Sequence, residues 1–256
     1  MNAKKIVLLG VDSDFTNAIY NHINRDFVIE KVVIEEKENK KIFLKRRLKR
    51  LGFWTVIGQI LFTIFVSKAL TIFSKKRIKE IITANNLDLS AIDNDKILNV
   101  KSVNSQENID LLKKINPDLI IVSGTRIISK KVIESVDCRF INLHAGITPK
   151  YRGVHGTYWA LINNDAVKSG VTVHFVDEGI DTGNIIYQDK VLISGNDNFT
   201  TYPLLQLAAG IKILKQTVAD FYQNKIVVKP TSGESNLYYH PTIFQYLKYR
   251  IFYGVK

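Results

Sequence analysis

Two short, unbroken apolar runs, Ile6–Leu9 and Leu119–Val122, each end at a glycine within two residues. Each is too short for a helix and does not alternate, the mark of a strand covered on both faces. Such strands need helices between them in the chain, and the pattern supplies these. Lys5–Gly10 reads as a first strand and turn, Phe15–Ile23 as the helix after it, Phe27–Glu35 as a second strand and Ile97–Val100 as a short third. Gln106–Lys114 reads as a helix, Leu119–Gly124 as a buried strand and its turn, and Lys130–Val136 as a short helix. Phe140–His144 and Val171–Val176 supply two more strands, and Ile185–Ile193 a final strand or hairpin. Thr201–Asn224, with Pro203 near its start, reads as a long helix. The expected fold class is α/β, a doubly wound, mostly parallel sheet. The turn Gly10-Val-Asp-Ser-Asp lacks the Gly-x-Gly-x-x-Gly pattern, so no dinucleotide site is expected there.

At 256 residues and 46% apolar content, the chain can bury one large core with a small appendage. Its single cysteine, Cys138, excludes an internal disulfide framework and any multi-cysteine metal site. It reads as an inert, half-buried thiol in a reducing compartment. Five scattered histidines show no ligand spacing, so no metal is expected. The N-terminal Met-Asn-Ala-Lys-Lys runs straight into the first strand, and the apolar run is too short for a secretory signal. The formal charge is +12, with seven basic and no acidic residues between Lys40 and Arg50. Phosphates, polyglutamylated folate, nucleic acid or an anionic membrane would suit this balance, and a solvated helix face would also account for it.

Residues 40–84 interrupt the strand–helix alternation. Leu51–Ser67 is 17 uncharged residues rich in Ile, Phe, Leu and Val, between Lys40–Arg50 and Lys75–Lys79. A membrane-spanning helix needs ~20 apolar residues, and Lys68 cuts this run short. Basic residues on both sides give no orientation signal. The remaining readings are a helical hairpin packed on the body or in a homodimer contact, and a peripheral helix lying on an anionic membrane through residues 40–79. Beyond Asn224, Ile226–Ser235 reads as a short strand and turn. The aromatic, basic segment Tyr238–Lys256 either docks its rings on the parent sheet or stacks nucleobases.

The chemistry gathers in Asn142-Leu-His144-Ala-Gly-Ile-Thr-Pro-Lys-Tyr151-Arg152-Gly153, followed 28 residues later by Asp181-Thr-Gly183. Asn142 and His144 are two apart, so on a strand they share a face. An amide can donate to a developing oxyanion, an imidazole can hold or move a proton, and a carboxylate can orient the imidazole and raise its pKa. Asp181 could instead cap the turn at Gly183, and His174 reads as structural. No serine or cysteine nucleophile lies in the cluster, which points to direct attack by a substrate group.

This pattern, Asn-x-His with Pro-x-Tyr-Arg-Gly and then Asp-x-Gly-x-Asp-Thr-Gly, resembles the folate-dependent formyltransferases. These include glycinamide ribonucleotide, methionyl-tRNA and sugar-nucleotide N-formyltransferases. The resemblance is close from about Pro117 to Gln188 and looser over the first strand and the long helix. It implies a catalytic domain over residues 1–225 with a helical insertion at about 40–84, and a C-terminal extension over 226–256. It implies 10-formyltetrahydrofolate as co-substrate, with Asn142 and His144 at the formyl oxygen and Asp181 holding His144 or a water. The pterin would lie against the loops Val122, Ser123, Gly124, Thr125, Arg126, Ile127 and Val176, Asp177, Glu178, Gly179, Ile180. Tyr151, Arg152, Gly153 and His155 would form the acceptor-side loop, with Arg152 held by ion pairing and His155 either facing the acceptor or shaping the loop.

Within the family, about 30 residues after the long helix are too few for the five-stranded barrel of the tRNA enzymes. The acids in Gly10-Val-Asp-Ser-Asp disfavour the phosphate turn of the purine enzyme. A nucleotide-linked amino sugar is therefore the expected acceptor, in a cytoplasmic and peripherally membrane-bound enzyme of surface-polysaccharide synthesis. A formyltetrahydrofolate hydrolase, a methionyl-tRNA-type formyltransferase and a non-catalytic membrane or nucleic-acid binding protein are the alternatives.

Overall fold

A computed structural model describes residues 4–256; Met1–Ala3, the start of the N-terminal stretch read above, lie outside them. The strands are β1 (Ile6–Val11), β2 (Ile29–Glu35), β3 (Ile97–Val100), β4 (Leu119–Val122), β5 (Arg139–His144), β6 (Tyr151–Gly153), β7 (Gly170–Phe175), β8 (Ile185–Lys190) and β9 (Asn236–Tyr238). The helices are α1 (Asp14–Asn24), α2 (Lys40–Leu51), α3 (Phe53–Leu61), α4 (Lys68–Phe73), α5 (Lys75–Ala84), α6 (Gln106–Ile115), α7 (Lys130–Ile133), α8 (Gly156–Ile162), α9 (Tyr202–Tyr222) and α10 (Ile243–Tyr253).

Seven strands form one sheet in the order β3-β2-β1-β4-β5-β7-β8. The first five of these run parallel, while β7 is antiparallel to both β5 and β8. Alternation along each strand divides the core into two layers. Ile6, Leu8, Leu119, Ile121 and Ile141 pack with Ala18, Ile19 and Ile23 of α1 and Leu207, Ile211, Leu214 and Val218 of α9. Val7, Leu9, Ile120, Val122 and Phe140 face the other way, onto Ile109 and Leu112 of α6 and Val132 of α7. Each fully buried side chain of this size contributes ~1.5–3 kcal/mol, so the unbroken apolar runs fix both layers at once. Cys138 is half-buried beside the second layer, and burial pushes its thiol up to about 12, which leaves it inert.

Residues 40–84 are helical throughout most of their length. No side chain of α2 is fully buried, and its basic residues other than half-buried Arg47 are solvated. From Phe53 to Phe73 the chain is one continuous helix of 21 residues, with a wider π segment at Phe62–Ser67. The length argument against spanning therefore fails, because the helix runs through Lys68. Yet Val56, Gln59 and Phe62 are buried against the body, and the Gln59 amide donates to the His240 carbonyl at 2.6 Å.

The C-terminal segment departs from expectation. Ile226–Ser235 forms no strand beyond a bridge between Lys229 and Ile185. The pairing falls to β9 instead, which runs parallel to β6. The rings of the C-terminal segment dock mainly on α8, not on the parent sheet: Tyr238 stacks on Trp159 and Tyr151, and Tyr246 packs on Phe62 and Tyr158. Phe244, Phe252 and Tyr253 remain exposed.

Candidate active site

The carboxyl ends of β4 and β5 open into a cavity of about 450 Å³. Its floor comes from β5, where parallel register sets Asn142 beside Val122 and antiparallel register sets it across from His174 of β7. His144, two residues on, lines the same cavity. Asp181 reaches the floor from the loop after β7. Its backbone is left-handed, φ 52°, a conformation Asp tolerates better than most residues. Gly183 makes this turn possible, since a Cβ there would lie 1.7 Å from the Phe175 carbonyl oxygen.

Asp181 is the hub. Its Oδ2 accepts the Gly153 N–H at 2.9 Å and lies 3.3 Å from His144 Nδ1. Its Oδ1 accepts from Asn142 Nδ2 at 3.2 Å and lies 3.6 Å from His174 Nε2. Burial would raise the Asp181 carboxyl, but the two imidazoles and the Gly153 N–H outweigh it and hold the group down at about 2. His144 goes the other way from expectation. Asp181 does pull its pKa upward, but the ring is almost wholly buried, and burial carries it below the usual histidine value. At neutral pH the pair is thus an anionic carboxylate beside a neutral imidazole.

Hydrogen-bond chemistry constrains the ring protons. His144 Nε2 lies 2.8 Å from the Tyr151 carbonyl oxygen and Nδ1 3.3 Å from the Asp181 carboxylate, both of which can only accept, so the neutral ring donates to one of them and a protonated ring to both. Gly146 permits this approach, because a Cβ there would meet Tyr151 O at 2.4 Å and His144 Nε2 at 2.7 Å. His174 donates from Nδ1 to its neighbour's carbonyl, Phe175 O, at 2.7 Å, leaving Nε2 to accept from Asn142 at 3.2 Å. Both amide hydrogens of Asn142 are therefore engaged, on His174 and Asp181. An oxyanion can take one only by displacing such a partner. His174, read as structural, lines the cavity floor beside Asn142; no local motif marked this placement, because it arises from pairing across strands.

The two loops expected to hold a flat heterocycle form opposite walls. Val122, Ser123, Gly124, Thr125, Arg126 and Ile127 line one side, and Val176, Asp177, Gly179 and Ile180 the other, with Phe15 and Val154 adding apolar surface. Glu178 is outside the cavity, exposed and paired with Lys130 at 2.8 Å. The Arg126 side chain bolts its loop to β2, pairing with buried Glu35 at 2.8 Å, while its N–H donates to the same carboxylate. Glu35 escaped the sequence reading because nothing around it forms a motif. Asp177 braces the second loop through Gly179 N–H and Thr182 Oγ1.

On the acceptor-side loop, Gly153 lines the cavity while Tyr151, Arg152 and His155 do not. Tyr151 is buried and donates its hydroxyl to Asp165 at 3.0 Å. Arg152 is held by a hydrogen bond to the Ile180 carbonyl at 3.0 Å, not by the ion pair expected. His155, left-handed at φ 59°, opens α8 and packs between Phe199 and His240, each 4.3 Å away between ring centroids. Among the described residues no cluster of His, Cys, Asp and Glu is arranged to hold a metal.

The family model described as Formyl transferase matches residues 61–226. A methionyl-tRNA formyltransferase of Thermodesulfovibrio yellowstonii is 37% identical over 124 residues, 48% of this chain and 40% of the relative. The match thus spans less than half of the curated relatives' length. A 4-N formyltransferase from Francisella tularensis shares 18% identity at a TM-score of 0.59, over 93% of this chain and 77% of that one. An N-formyltransferase from Helicobacter canadensis, solved with folinic acid and dTDP-3-aminofucose, shares 21% at a TM-score of 0.57, over 92% and 70%. At these identities the likeness establishes a common fold.

Proposed function

The chain belongs to the formyl transferase family, and from that premise we propose that it moves a formyl group from 10-formyltetrahydrofolate to the amine of a nucleotide-linked amino sugar. The observation that carries this reading is the convergence of Asn142, His144 and Asp181 on the floor of one cavity. The cavity suits the co-substrate. Its volume of about 450 Å³ lies in the range of small-molecule sites, and its walls offer peptide groups from two loops between apolar side chains. Bound there, 10-formyltetrahydrofolate supplies a formyl carbon to which the amine bonds, while the bond to N10 breaks and the amine's proton passes to N10.

The protein's part is charge and proton management. Asn142 turns one amide hydrogen from His174 or Asp181 toward the formyl oxygen as negative charge grows there. The Asp181 carboxylate, with the neutral His144 ring beside it, takes up the proton that the attacking amine sheds. His174 and Gly153 keep Asp181 aimed while its charge is shared. A neutral imidazole beside an anionic carboxylate is a better proton acceptor than the imidazolium expected from sequence, and this favours the base role of the pair over an electrostatic one.

The acceptor class follows the solved formyltransferases whose names carry amino sugars. The test is transfer from 10-formyltetrahydrofolate to a panel of nucleotide-linked 3-amino and 4-amino sugars, with methionyl-tRNA and buffer alone as the other arms. Formylation of one sugar, lost in Asn142→Ala, is the expected result. Formylation of the tRNA would name the other acceptor, and formate release without acceptor would make the protein a hydrolase. A peripheral membrane location is part of the same proposal, because Trp54 and Phe73 are 81% and 86% exposed on the helix Phe53–Phe73, next to basic α2 and α5.

A further inference from the structure

A second cavity, about 330 Å³, adjoins the first, and Val154 lines both. Its wall is one face of α2: Phe43, Arg46, Arg47 and Arg50 lie three and four residues apart, as neighbours on a helix do. Tyr239, just beyond β9, closes the other side. Three guanidinium groups on one face repel one another, and the described residues neutralise little of this charge. Arg46 pairs with Glu38 at 2.8 Å. Arg47 and Arg50 have only uncharged partners, the Gln59 amide oxygen and the Tyr239 hydroxyl respectively.

These partners orient the cations without quenching them. The Arg50 guanidinium lies over the Tyr239 ring at 5.0 Å and that of Arg47 over Phe43 at 5.1 Å. Stacking of this kind fixes the plane of the group and leaves N–H edges free for oxygen atoms. Gln59 is held in turn by donating to the His240 carbonyl, and His240 Nδ1 is sealed from solvent with no partner of its own. A preorganised, uncompensated pair of guanidinium forks matches the oxygens of a phosphate better than any other common ligand group. Arg47 and His240 also border a third cavity, walled by apolar Leu44, Val56, Ile60 and Ile64.

We propose that the Arg47–Arg50 pocket holds the phosphate or diphosphate ester through which the acceptor amine is carried, delivering it to the catalytic cavity past Val154. This deepens the formyl-transfer reading and rests on it for what the ester carries, but not for the anion site itself. The shared chemistry is a phosphate ester with either a nucleoside or a prenyl chain on its far side; the apolar third cavity suits the prenyl chain.

Calorimetric titration of the full chain with inorganic pyrophosphate and with geranyl diphosphate tests the site without any turnover. Arg47→Gln/Arg50→Gln should weaken binding roughly tenfold or more, and Arg47→Lys/Arg50→Lys should restore part of it. Arg50 is exposed and Arg47 only half-buried, so both variants should keep the fold, as circular dichroism will register. Comparable binding of the two probes indicates a soluble nucleotide ester, and tighter binding of geranyl diphosphate indicates a lipid-borne one; either supports the proposal. No binding of either probe, or binding that the Gln pair leaves unchanged, overturns it. If binding depends on the arginines yet no amino sugar is formylated, the anion site stands and the acceptor assignment falls.

Discussion

The floor of the catalytic cavity and the helical face around α2 to α4 handle polar and apolar groups in opposite ways. On the floor, Asn142 donates to His174 and Asp181, and the two imidazoles meet the Tyr151 and Phe175 carbonyls, so each donor has an acceptor. On the helical face, the Arg47 and Arg50 guanidinium groups lack carboxylates and large apolar side chains meet solvent. The first region is finished within the chain, as preorganised chemistry must be. The second is left open, as a surface awaiting something from outside must be.

The sharpest way to break the contrast is to unsatisfy the floor. Asp181→Asn removes the charge that both imidazoles face, and kcat for formyl transfer should fall roughly 10³-fold. Asn142→Ala should cost roughly 10²-fold, measured in the same assay. A Gly183→Ala change attacks the turn that presents Asp181. With a Cβ 1.7 Å from the Phe175 oxygen, chemical denaturation should register a loss of about 3 kcal/mol.

Acid separates the two regions next. Burial holds His144 and His155 below the usual value; burial and the nearby Arg47 charge push His240 down to about 4. In the unfolded chain each imidazole titrates near ~6.5, so there the unfolded state takes up protons that the folded state refuses. Stability should therefore decline as pH falls from about 6.5 toward 4. His240 accounts for about 2 kcal/mol of this, allowing for solvent screening, and thermal melts of His240→Gln should show a shallower decline. Asp181, held low, contributes stability that is lost as pH falls from about 4 toward about 2.

The smallest effect on folding should come from the open face. Trp54→Ser with Phe65→Ser and Phe73→Ser should move stability by only about 0.5 kcal/mol for each change. Sedimentation with phosphatidylserine-containing vesicles should nonetheless fall sharply. Equal binding by wild type and variant would remove the membrane from the proposed function.

Sequence carried the scaffold further than the site. Unbroken runs such as Leu119–Val122 encode burial on both faces in their composition, so the parallel strands were legible from local pattern. The motif drew attention to Asn142, His144 and Asp181, and the structure brings their side chains together. His174 and Glu35 were not legible, because their partners are set by strand pairing and by a loop 91 residues away, not by neighbours in the chain. Nor was the protonation balance of His144: a nearby carboxylate can be inferred from a motif, but burial of the ring is a property of the packed molecule. β6 and β9 were missed for a simpler reason, since three-residue strands carry too little pattern.

That small pairing sets the order in which the molecule can be completed during synthesis. Gly153 supplies an N–H to Asp181, and its strand is braced by Asn236–Tyr238, which the ribosome makes more than 80 residues later. A nascent chain that has emerged only as far as α9 already contains Asn142, His144 and Asp181. It lacks the strand that steadies the loop beneath them. The loop under the floor can thus be braced only after the chain has been made through Tyr238, later than every residue of the helices that present the open face.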